Sequence, residues 1–449
     1  MACRKMIGTK WGLNPKRMEW LYTGVVRPVM TYGSIAIATS LEKQSIINKL
    51  NKLQRLACLT TLNAIKSTPT AGMEVILDIP PLNIYMKTVA IQNMIRIKRL
   101  NQWRYRDGET PWNKSHAYVL SKWERNLPRL MDVTDTDTKT TRIAIKYNTD
   151  IQTRDTLSIV TKRPKPYDTG CVNCFTDGSK VESGCGAGYI VWTDKKIAQD
   201  HFPLGKHTSV YQAELLAIST ATQDMLNRKI KNKTINYHID SQSAIKALDS
   251  YNNKNKIVNE CKNNLNKLAT HNTITLNWVP GHEGHMGNEV ADRLAKTGAN
   301  MTVEGPEPII PVPNSVVTGA IREWGRGLHQ KHWEERKDCR QTKMFIPQIN
   351  IQHRKEILQS TRNNSRKITQ ILTGHANLNR HLHIMGLVDT PLCPKCEEEE
   401  ETVQHYISTC PFYSRIRHSI FGQHTISETE LQNIKHRQIL AYIVESKRW

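Results

Sequence analysis

The sequence predicts an α/β protein whose centre is a mixed five-stranded sheet flanked by helices, with a basic helical region before it and a small metal-binding segment after it. Three observations support this fold class. Short apolar runs alternate with helical runs between residues 168 and 302, an order typical of an α/β sheet. Apolar residues recur at helical spacing near the start, at Ile46, Leu50, Leu53 and Ala57. Four cysteine and histidine residues near the end have the spacing of zinc ligands.

Composition limits the possible partners. The 449 residues include 63 Lys and Arg against 41 Asp and Glu, a formal net charge of +22. This charge favours nucleic acid as the partner, and the alternative is a merely basic soluble protein. No apolar run approaches a membrane-spanning length, and the start lacks the apolar core of a signal peptide. Ten cysteines are too few for a disulfide scaffold. We therefore expect an intracellular location, in the nucleus or cytoplasm, no secretion and no membrane partner.

The first two segments are a helical region and a connector. Residues 1–105 are basic, with ten Lys or Arg and two Glu among the first sixty positions. Helices are predicted near Ile46–Ala57, after Ser67, and from about Ile84 to Trp103, with Pro80 and Pro81 ending the second. Residues 106–167 are polar and are predicted to be a linker.

Acidic residues follow the predicted strands and helices of residues 168–302. Asp177 and Asp240 end apolar runs, Glu214 lies in the first turns of a helix, and Asp292 lies on a later helix after a Val-Pro-Gly-His loop that contains His282. Each residue alone also fits a turn, a helix cap or a solvated helix face. Four carboxylates brought together repel one another unless a cation is present, and oxygen ligands favour Mg²⁺, with Mn²⁺ as a substitute.

The order strand–Asp, helix–Glu, strand–Asp, loop–His, helix–Asp resembles the ribonuclease H family. The resemblance implies that Asp177, Glu214, Asp240 and Asp292 bind two Mg²⁺ ions and that His282 is a mobile histidine assisting product departure. It also implies hydrolysis of the RNA strand of RNA–DNA hybrids. The short interval between Asp240 and His282 leaves no room for the basic protrusion of many family members. Four lysines in this interval either compensate or solvate a helix: Lys254, Lys256, Lys262 and Lys267.

The amino-terminal region carries a second resemblance. Residues 20–33, 53–58, 67–71 and 77–82 resemble, in order, the region after the polymerase palm in reverse transcriptases of non-LTR (Jockey-like) retrotransposons. The polymerase motif requires adjacent aspartates, and the sequence contains no Asp-Asp pair. We therefore expect a truncated carboxyl half of such a polyprotein, with no polymerase activity.

The end of the chain is predicted to contain a structural zinc site. Residues 303–385 form a basic helical linker region with a Pro-rich start, residues 386–415 the zinc segment, and residues 416–449 a helical tail. The zinc segment has the pattern C-x₂-C-x₈-H-x₄-C, formed by Cys393, Cys396, His405 and Cys410. The alternative is coincidence among ten cysteines. Residues 374–387 resemble the tail of the same retroelement proteins.

The sequence therefore predicts a metal-dependent ribonuclease H that binds RNA–DNA hybrids and has no small-molecule substrate. A different hypothesis is a catalytically silent, nucleic-acid-binding remnant of a retroelement polyprotein. A third, a resolvase or transposase of the same fold, is disfavoured by the Val-Pro-Gly-His loop. The oligomeric state is left open.

Overall fold

A computed structural model describes residues 12–99, 116–127, 136–151, 170–193, 196–281, 285–305 and 307–448. The chain divides into two compact units. Unit 1 comprises Met1–Asn126 and Ile321–Trp449, and unit 2 comprises Leu127–Ala320. Unit 2 is thus inserted in the sequence of unit 1. No described helix is both long enough and apolar enough to cross a membrane.

The first part of unit 1 is helical, as predicted. A π-helix, Tyr22–Val26, joins the first two helices, and a 3₁₀ turn, Ala38–Ser40, precedes the third. The helices are α1 Pro15–Leu21, α2 Arg27–Thr31, α3 Gln44–Leu62, α4 Thr70–Ile76, α5 Leu82–Arg99 and α6 His116–Glu124. The helix predicted from the spacing of Ile46 to Ala57 is α3, which ends where Asn63 adopts a left-handed conformation.

Unit 2 is built on a mixed sheet. All five predicted strands are present: β3 Val172–Lys180, β4 Cys185–Trp192, β5 Lys196–Gly205, β6 Thr234–Ile239 and β8 Thr273–Trp278. Strands β3, β4 and β5 pair antiparallel, whereas β6 pairs parallel with both β3 and β8.

The predicted number of strands was wrong, because the sheet has six strands in the described residues. The sixth, β2 Asn148–Asp150, pairs parallel with β8 at the edge of the sheet. Its three polar residues carry no strand pattern, so only the pairing with β8 identifies it. A separate two-stranded ribbon joins β1 Thr136–Arg142 to β7 Asn252–Asn255 in antiparallel pairing. Residues 106–167, predicted to be a linker, thus contribute α6, β1 and β2.

Four helices complete unit 2: α7 Val210–Asn227, α8 Gln242–Asp249, α9 Lys256–Ala269 and α10 Met286–Asn300. Apolar residues of the sheet and of α7, α8 and α9 share one core, represented by Ile218, Tyr237 and Leu265. The close packing of α10 against β4 requires glycine on β4. A Cβ on Gly186 would lie only 2.1 Å from the backbone nitrogen of Ala299. The same packing explains Gly188 of β4, where a Cβ would lie 2.5 Å from the backbone nitrogen of Ala295.

The second part of unit 1 is again helical. Its helices are α11 Asn314–Glu335, α12 Arg340–Phe345, α13 Ile351–Gln359, α14 Arg362–Thr373, α15 Asn379–Ile384, α16 Ser414–Phe421, α17 Glu428–Leu431 and α18 His436–Ser446. One hydrophobic core runs through both parts and includes Leu62 and Ile76 from the first and Ile371 and Tyr442 from the second. The regions predicted as 1–105, 303–385, 386–415 and 416–449 therefore all contribute to one unit.

A buried polar chain crosses the core of unit 1. The Tyr22 hydroxyl donates to Gln54 Oε1 at 2.8 Å, and Gln54 Nε2 donates to Glu74 Oε1 at 2.5 Å. Glu74 is 3% exposed, and burial raises its pKa to about 7. Between pH about 4.5 and about 7, the Glu74 carboxyl group is therefore protonated in the folded state but ionised in the unfolded state. Unit 1 therefore loses stability as the pH rises through this window.

We expect Glu74→Gln to remove this pH dependence and to stabilise unit 1 above pH 7. The glutamine keeps an acceptor for Gln54 but carries no buried charge, and a shift of this size corresponds to about 3 kcal/mol at most. Urea unfolding at acidic and alkaline pH measures the effect. The control is Glu323→Gln, since Glu323 is exposed and paired with Arg326. Equal pH dependence in the wild type and Glu74→Gln would contradict the prediction.

Candidate functional site

The first acidic residue lies inside the central strand of the sheet. Asp177 is on β3, opposite Gly188 of β4, and is 6% exposed. The next residue, Gly178, allows β3 to touch α7, because a Cβ at that position would lie 2.6 Å from the backbone nitrogen of Glu214. The contact between strand and helix therefore brings the second predicted carboxylate to the first.

Glu214 is fixed by the start of α7. Ser209 and Gln212 form a capping box that begins the helix, and the Gln212 amide also donates to the Pro311 carbonyl at 2.8 Å. Glu214 is 4% exposed, and its Oε2 has no hydrogen-bond partner within the described part of the chain. A buried carboxylate oxygen without a donor is costly in an apolar setting, so this atom fits a role as a cation ligand.

Asp240 completes a triad of carboxylates. It directly follows β6, and the Trp278 indole donates to its backbone carbonyl at 2.9 Å. The absence of a side chain at Gly281 leaves space beside the carboxylate, since a Cβ there would lie 3.1 Å from Asp240 Oδ2. One carboxylate oxygen each from Asp177, Glu214 and Asp240 lie within 4.8 Å of one another, a geometry that could hold a metal ion.

Burial and mutual repulsion raise the pKa values of two members of this triad, Asp177 and Glu214. Burial, followed by the negative charges of Asp240 and Asp292, raises the pKa of Asp177 to about 7. Burial, followed by the charges of Asp177 and Asp240, raises the pKa of Glu214 well above its ordinary value. A bound divalent cation would reverse the repulsion by neutralising the carboxylates.

The structure separates the fourth predicted carboxylate from the triad. Asp292 lies on α10, and its Oδ2 accepts a hydrogen bond from Lys296 at 2.7 Å. It lies outside the group of three oxygens, although its charge acts on Asp177. The assignment of Asp292 as a metal ligand stays a prediction. His282 lies outside the described residues, so its predicted role also stays a prediction.

The four predicted zinc ligands also converge. Cys393, Cys396, His405 and Cys410 each offer one ligand atom within 4.8 Å of the others. The Sγ atoms of Cys393 and Cys410 are 3.9 Å apart, and His405 Nε2 is 3.3 Å from the Cys396 Sγ. Cys393 and Cys410 are fully buried. Three sulfurs and an imidazole in this arrangement could hold a metal ion.

Backbone N–H groups around this cluster favour thiolates, whereas burial, the larger effect, raises the pKa of the Cys393 thiol and raises that of Cys410 to about 12. Two backbone N–H groups face each sulfur: Lys395 and Cys396 at Cys393, Glu398 and Glu399 at Cys396, and Phe412 and Tyr413 at Cys410. Glu399 Oε2 lies 2.8 Å from His405 Nδ1, on the side of the ring away from the cluster. A carboxylate in this position fixes the ring tautomer that leaves Nε2 free to bind a metal.

The acidic triad lies within a segment that matches a known protein family. The family model of RNase H matches residues 169–300. Residues 169–300 are an RNase H domain. Two relatives come from retrotransposons: a 115 kDa protein of the type-1 retrotransposable element R1DM of Drosophila melanogaster, 24% identical over 129 residues, and the Pol polyprotein of the type-1 element R1 of Bradysia coprophila, 32% identical over 88 residues. A third relative, a ribonuclease H of Nitrosomonas eutropha, is 29% identical over 143 residues.

These matches cover small parts of the retrotransposon proteins. They take in 29% and 20% of this chain but 12% and 8% of the two relatives, whereas the match to the Nitrosomonas enzyme takes in 28% of this chain and 88% of that enzyme. The predicted resemblance to an RNase H domain of a non-LTR retrotransposon polyprotein is confirmed. The finer prediction of a Jockey-like element stays a prediction.

Two residues near the RNase H site and the zinc cluster were missed in the sequence. Lys296 follows Asp292 by four positions, so the helical spacing alone could have suggested the pair. Glu399 is one of five consecutive glutamates, and the sequence does not distinguish it from its neighbours. Its place beside His405 depends on the turn from Cys393 to Glu399, in which the Cys393 N–H donates to the Glu399 carbonyl at 2.8 Å.

Proposed function

We propose that this chain hydrolyses the RNA strand of RNA–DNA hybrids in a reaction that requires Mg²⁺, for which Mn²⁺ can substitute. The observation that carries the proposal is the buried triad of Asp177, Glu214 and Asp240 within the RNase H domain, with the unpartnered Oε2 of Glu214. Retrotransposon origin is consistent with the relatives from R1 elements and is part of the proposal.

Each residue of the site has a role in this proposal. Asp177, Glu214 and Asp240 would hold the cations, and Asp292 would join them once released from Lys296. Bound Mg²⁺ supplies charge stabilisation at the phosphate and an acidified water molecule. The water oxygen bonds to phosphorus, the bond to the 3′-oxygen breaks, and that oxygen takes a proton, leaving 5′-phosphate and 3′-hydroxyl ends. His282 would assist departure of the 3′-oxygen product.

A structural Zn²⁺ in the Cys393, Cys396, His405 and Cys410 cluster is the second part of the proposal. Closed coordination by four protein ligands leaves no position for a substrate, so this ion would stabilise unit 1 and take no part in cleavage. The convergence of the ligand atoms and the backbone N–H groups facing the sulfurs support it.

Incubation of the purified full chain with a labelled RNA–DNA hybrid tests the main proposal. We expect cleavage of the RNA strand with Mg²⁺ or Mn²⁺ and none with a chelator, and no cleavage of a DNA duplex of the same sequence. Binding without cleavage in every divalent cation would favour the alternative, a silent nucleic-acid-binding remnant. Primer extension on a primed RNA template should give no product, because the sequence lacks the adjacent aspartates of a polymerase site.

A further inference from the structure

We propose that the ribbon formed by residues 140–146 and 250–256, here called the basic ribbon, binds the phosphates of the hybrid cleaved at the acidic site. This inference rests on the proposed function and extends it to a surface that residues 140–146, which precede the RNase H family match, form together with residues 250–256 inside it. The ribbon consists of the last residues of β1 and all of β7, which pair antiparallel, with Thr141 opposite Asn253 and Arg142 opposite Asn252. Asp137 and Lys139 of β1 precede it.

The charge of the basic ribbon is of one sign. Residues 140–148 and 250–259 contain four cations and no acidic residue. The cations are Arg142, Lys146, Lys254 and Lys256, and all four are exposed. Arg142, Lys146 and Lys254 form no salt bridge within the described residues. Tyr251, which is 57% exposed, places an aromatic ring among them. Exposed cations interleaved with an aromatic ring are typical of surfaces that bind nucleic-acid backbones.

Hydrogen bonds attach the basic ribbon to the rest of unit 2. The Tyr147 hydroxyl donates to the Leu248 carbonyl at 2.8 Å. Asn266 of α9 accepts from the Lys146 N–H and donates to the Ala144 carbonyl, each at 2.8 Å. The buried Lys262 ammonium donates to the Ser250 carbonyl. Lys262 therefore cannot contact a substrate, contrary to one alternative raised from the sequence, and instead fixes the turn that starts the ribbon.

The position of the basic ribbon favours the same substrate as the acidic site. Ile239 of β6 is paired with Trp278 of β8, so these two parallel strands end at the edge of the sheet that carries Asp240. The 14 residues of α9 span about 21 Å, and the six residues of β8 about 20 Å. Because α9 returns to the start of β8, its first residues lie toward the edge with Asp240. These residues adjoin β7 and Arg142, whereas Lys146, bonded to Asn266, lies toward the other end of α9. The eight residues of α8 span about 12 Å between Asp240 and the ribbon.

A polyanion is therefore the occupant that the charge, the aromatic ring and the position favour. A hybrid bound at the carboxylates would extend beyond them in both directions, and phosphates on one side would reach the basic ribbon. The positive end of the α9 dipole, at Asn255 and Lys256, adds to the attraction.

Charge reversal tests the ribbon directly in the full chain. The test variant is Arg142→Glu/Lys254→Glu. The matched control is Lys231→Glu/Lys233→Glu, which changes the net charge equally at exposed positions before β6, at the opposite edge of the sheet. Fluorescence anisotropy with a labelled RNA–DNA hybrid, without divalent cations, gives the Kd over a range of salt concentrations.

We expect the ribbon variant to raise the Kd at least about tenfold over the control and to reduce the salt slope by about 0.9 for each lost phosphate contact, about 1.8 for two. A Kd and slope equal to those of the control would overturn the proposal. The neutral pair Arg142→Gln/Lys254→Gln should give an intermediate Kd, and it replaces the charge-reversed variant if that variant fails to fold.

Cleavage separates this inference from the function on which it rests. At saturating protein with Mg²⁺, the control variant should cleave at the wild-type rate, and any loss of rate in the ribbon variant should be smaller than its rise in Kd, since the carboxylates are unchanged. If the wild type cleaves no hybrid, the proposed function fails, whereas the comparison of Kd values still decides whether the ribbon binds phosphates.

Discussion

Asp177→Asn is expected to lower hybrid cleavage by at least about 10³-fold while the RNase H domain stays folded. Asp177 is a buried member of the triad and its charge acts on Glu214, so its neutral variant weakens cation binding where the phosphate would react. A loss of several kcal/mol of transition-state stabilisation corresponds to about this factor. The melting temperature without divalent cations should stay the same or rise. The substitution removes a carboxyl group whose charged form is disfavoured by burial and repulsion, which raise its pKa to about 7.

Single-turnover cleavage with Mg²⁺ and thermal unfolding in a chelator measure the two effects. Asp200→Asn is the control, since Asp200 is exposed on β5 of the same sheet. It should leave both cleavage and melting temperature unchanged. Cleavage by Asp177→Asn at the wild-type rate would refute the site assignment, and a lower melting temperature would refute the account of repulsion.

Loss of zinc is expected to unfold unit 1 and to spare unit 2. Cys393, Cys410, Tyr406 and Tyr413 belong to the core that also contains Leu62 and Ile76. The cluster is tied to α18, because Tyr442 donates to the Tyr406 carbonyl at 2.6 Å and Arg448 pairs with the buried Glu401 at 2.5 Å. A zinc site inside a shared core couples metal binding to the folding of that whole core.

The double variant Cys396→Ser/His405→Ala should lose its zinc and about 5 kcal/mol or more of stability in unit 1, on the order of a whole domain's stability. Metal analysis by mass spectrometry and limited proteolysis of each unit provide the measurements. The control, Cys171→Ser/His418→Ala, removes the same residue types outside the cluster. An unchanged zinc content would exclude these ligands, and a stable unit 1 without zinc would show that the core does not need the ion.

The sequence predicted the parts of the site that local pattern determines. Asp177 and Asp240 lie on or directly after parallel strands β3 and β6, and a helix start predicts the position of Glu214, so strand order was enough to bring the three together. The predicted zinc ligands could likewise be recognised from the sequence, since a fixed spacing of cysteines and a histidine implies a shared turn.

Features that depend on distant pairing left no local pattern. The strand β2 contains only Asn148, Thr149 and Asp150, and β7 only Asn and Lys residues, so neither has the apolar alternation of a strand. Both exist because a partner strand satisfies their backbone groups. The same holds for the site, where the unpartnered oxygen of Glu214 follows from the approach of β3 to α7 at Gly178.

The shared core of unit 1 also determines the order in which the protein can assemble on the ribosome. The Ser365 hydroxyl donates to the Leu62 carbonyl, and Arg362 binds Asn63, so partners meet across about three hundred positions. At about 5–20 residues per second, translation of Leu127–Ala320 delays the second part of the core by roughly 10–40 s. During this interval unit 2 can fold, while the emerged helices α1 to α6 present uncovered apolar faces. Chaperone capture of nascent chains should therefore be greatest before residues 321–449 emerge.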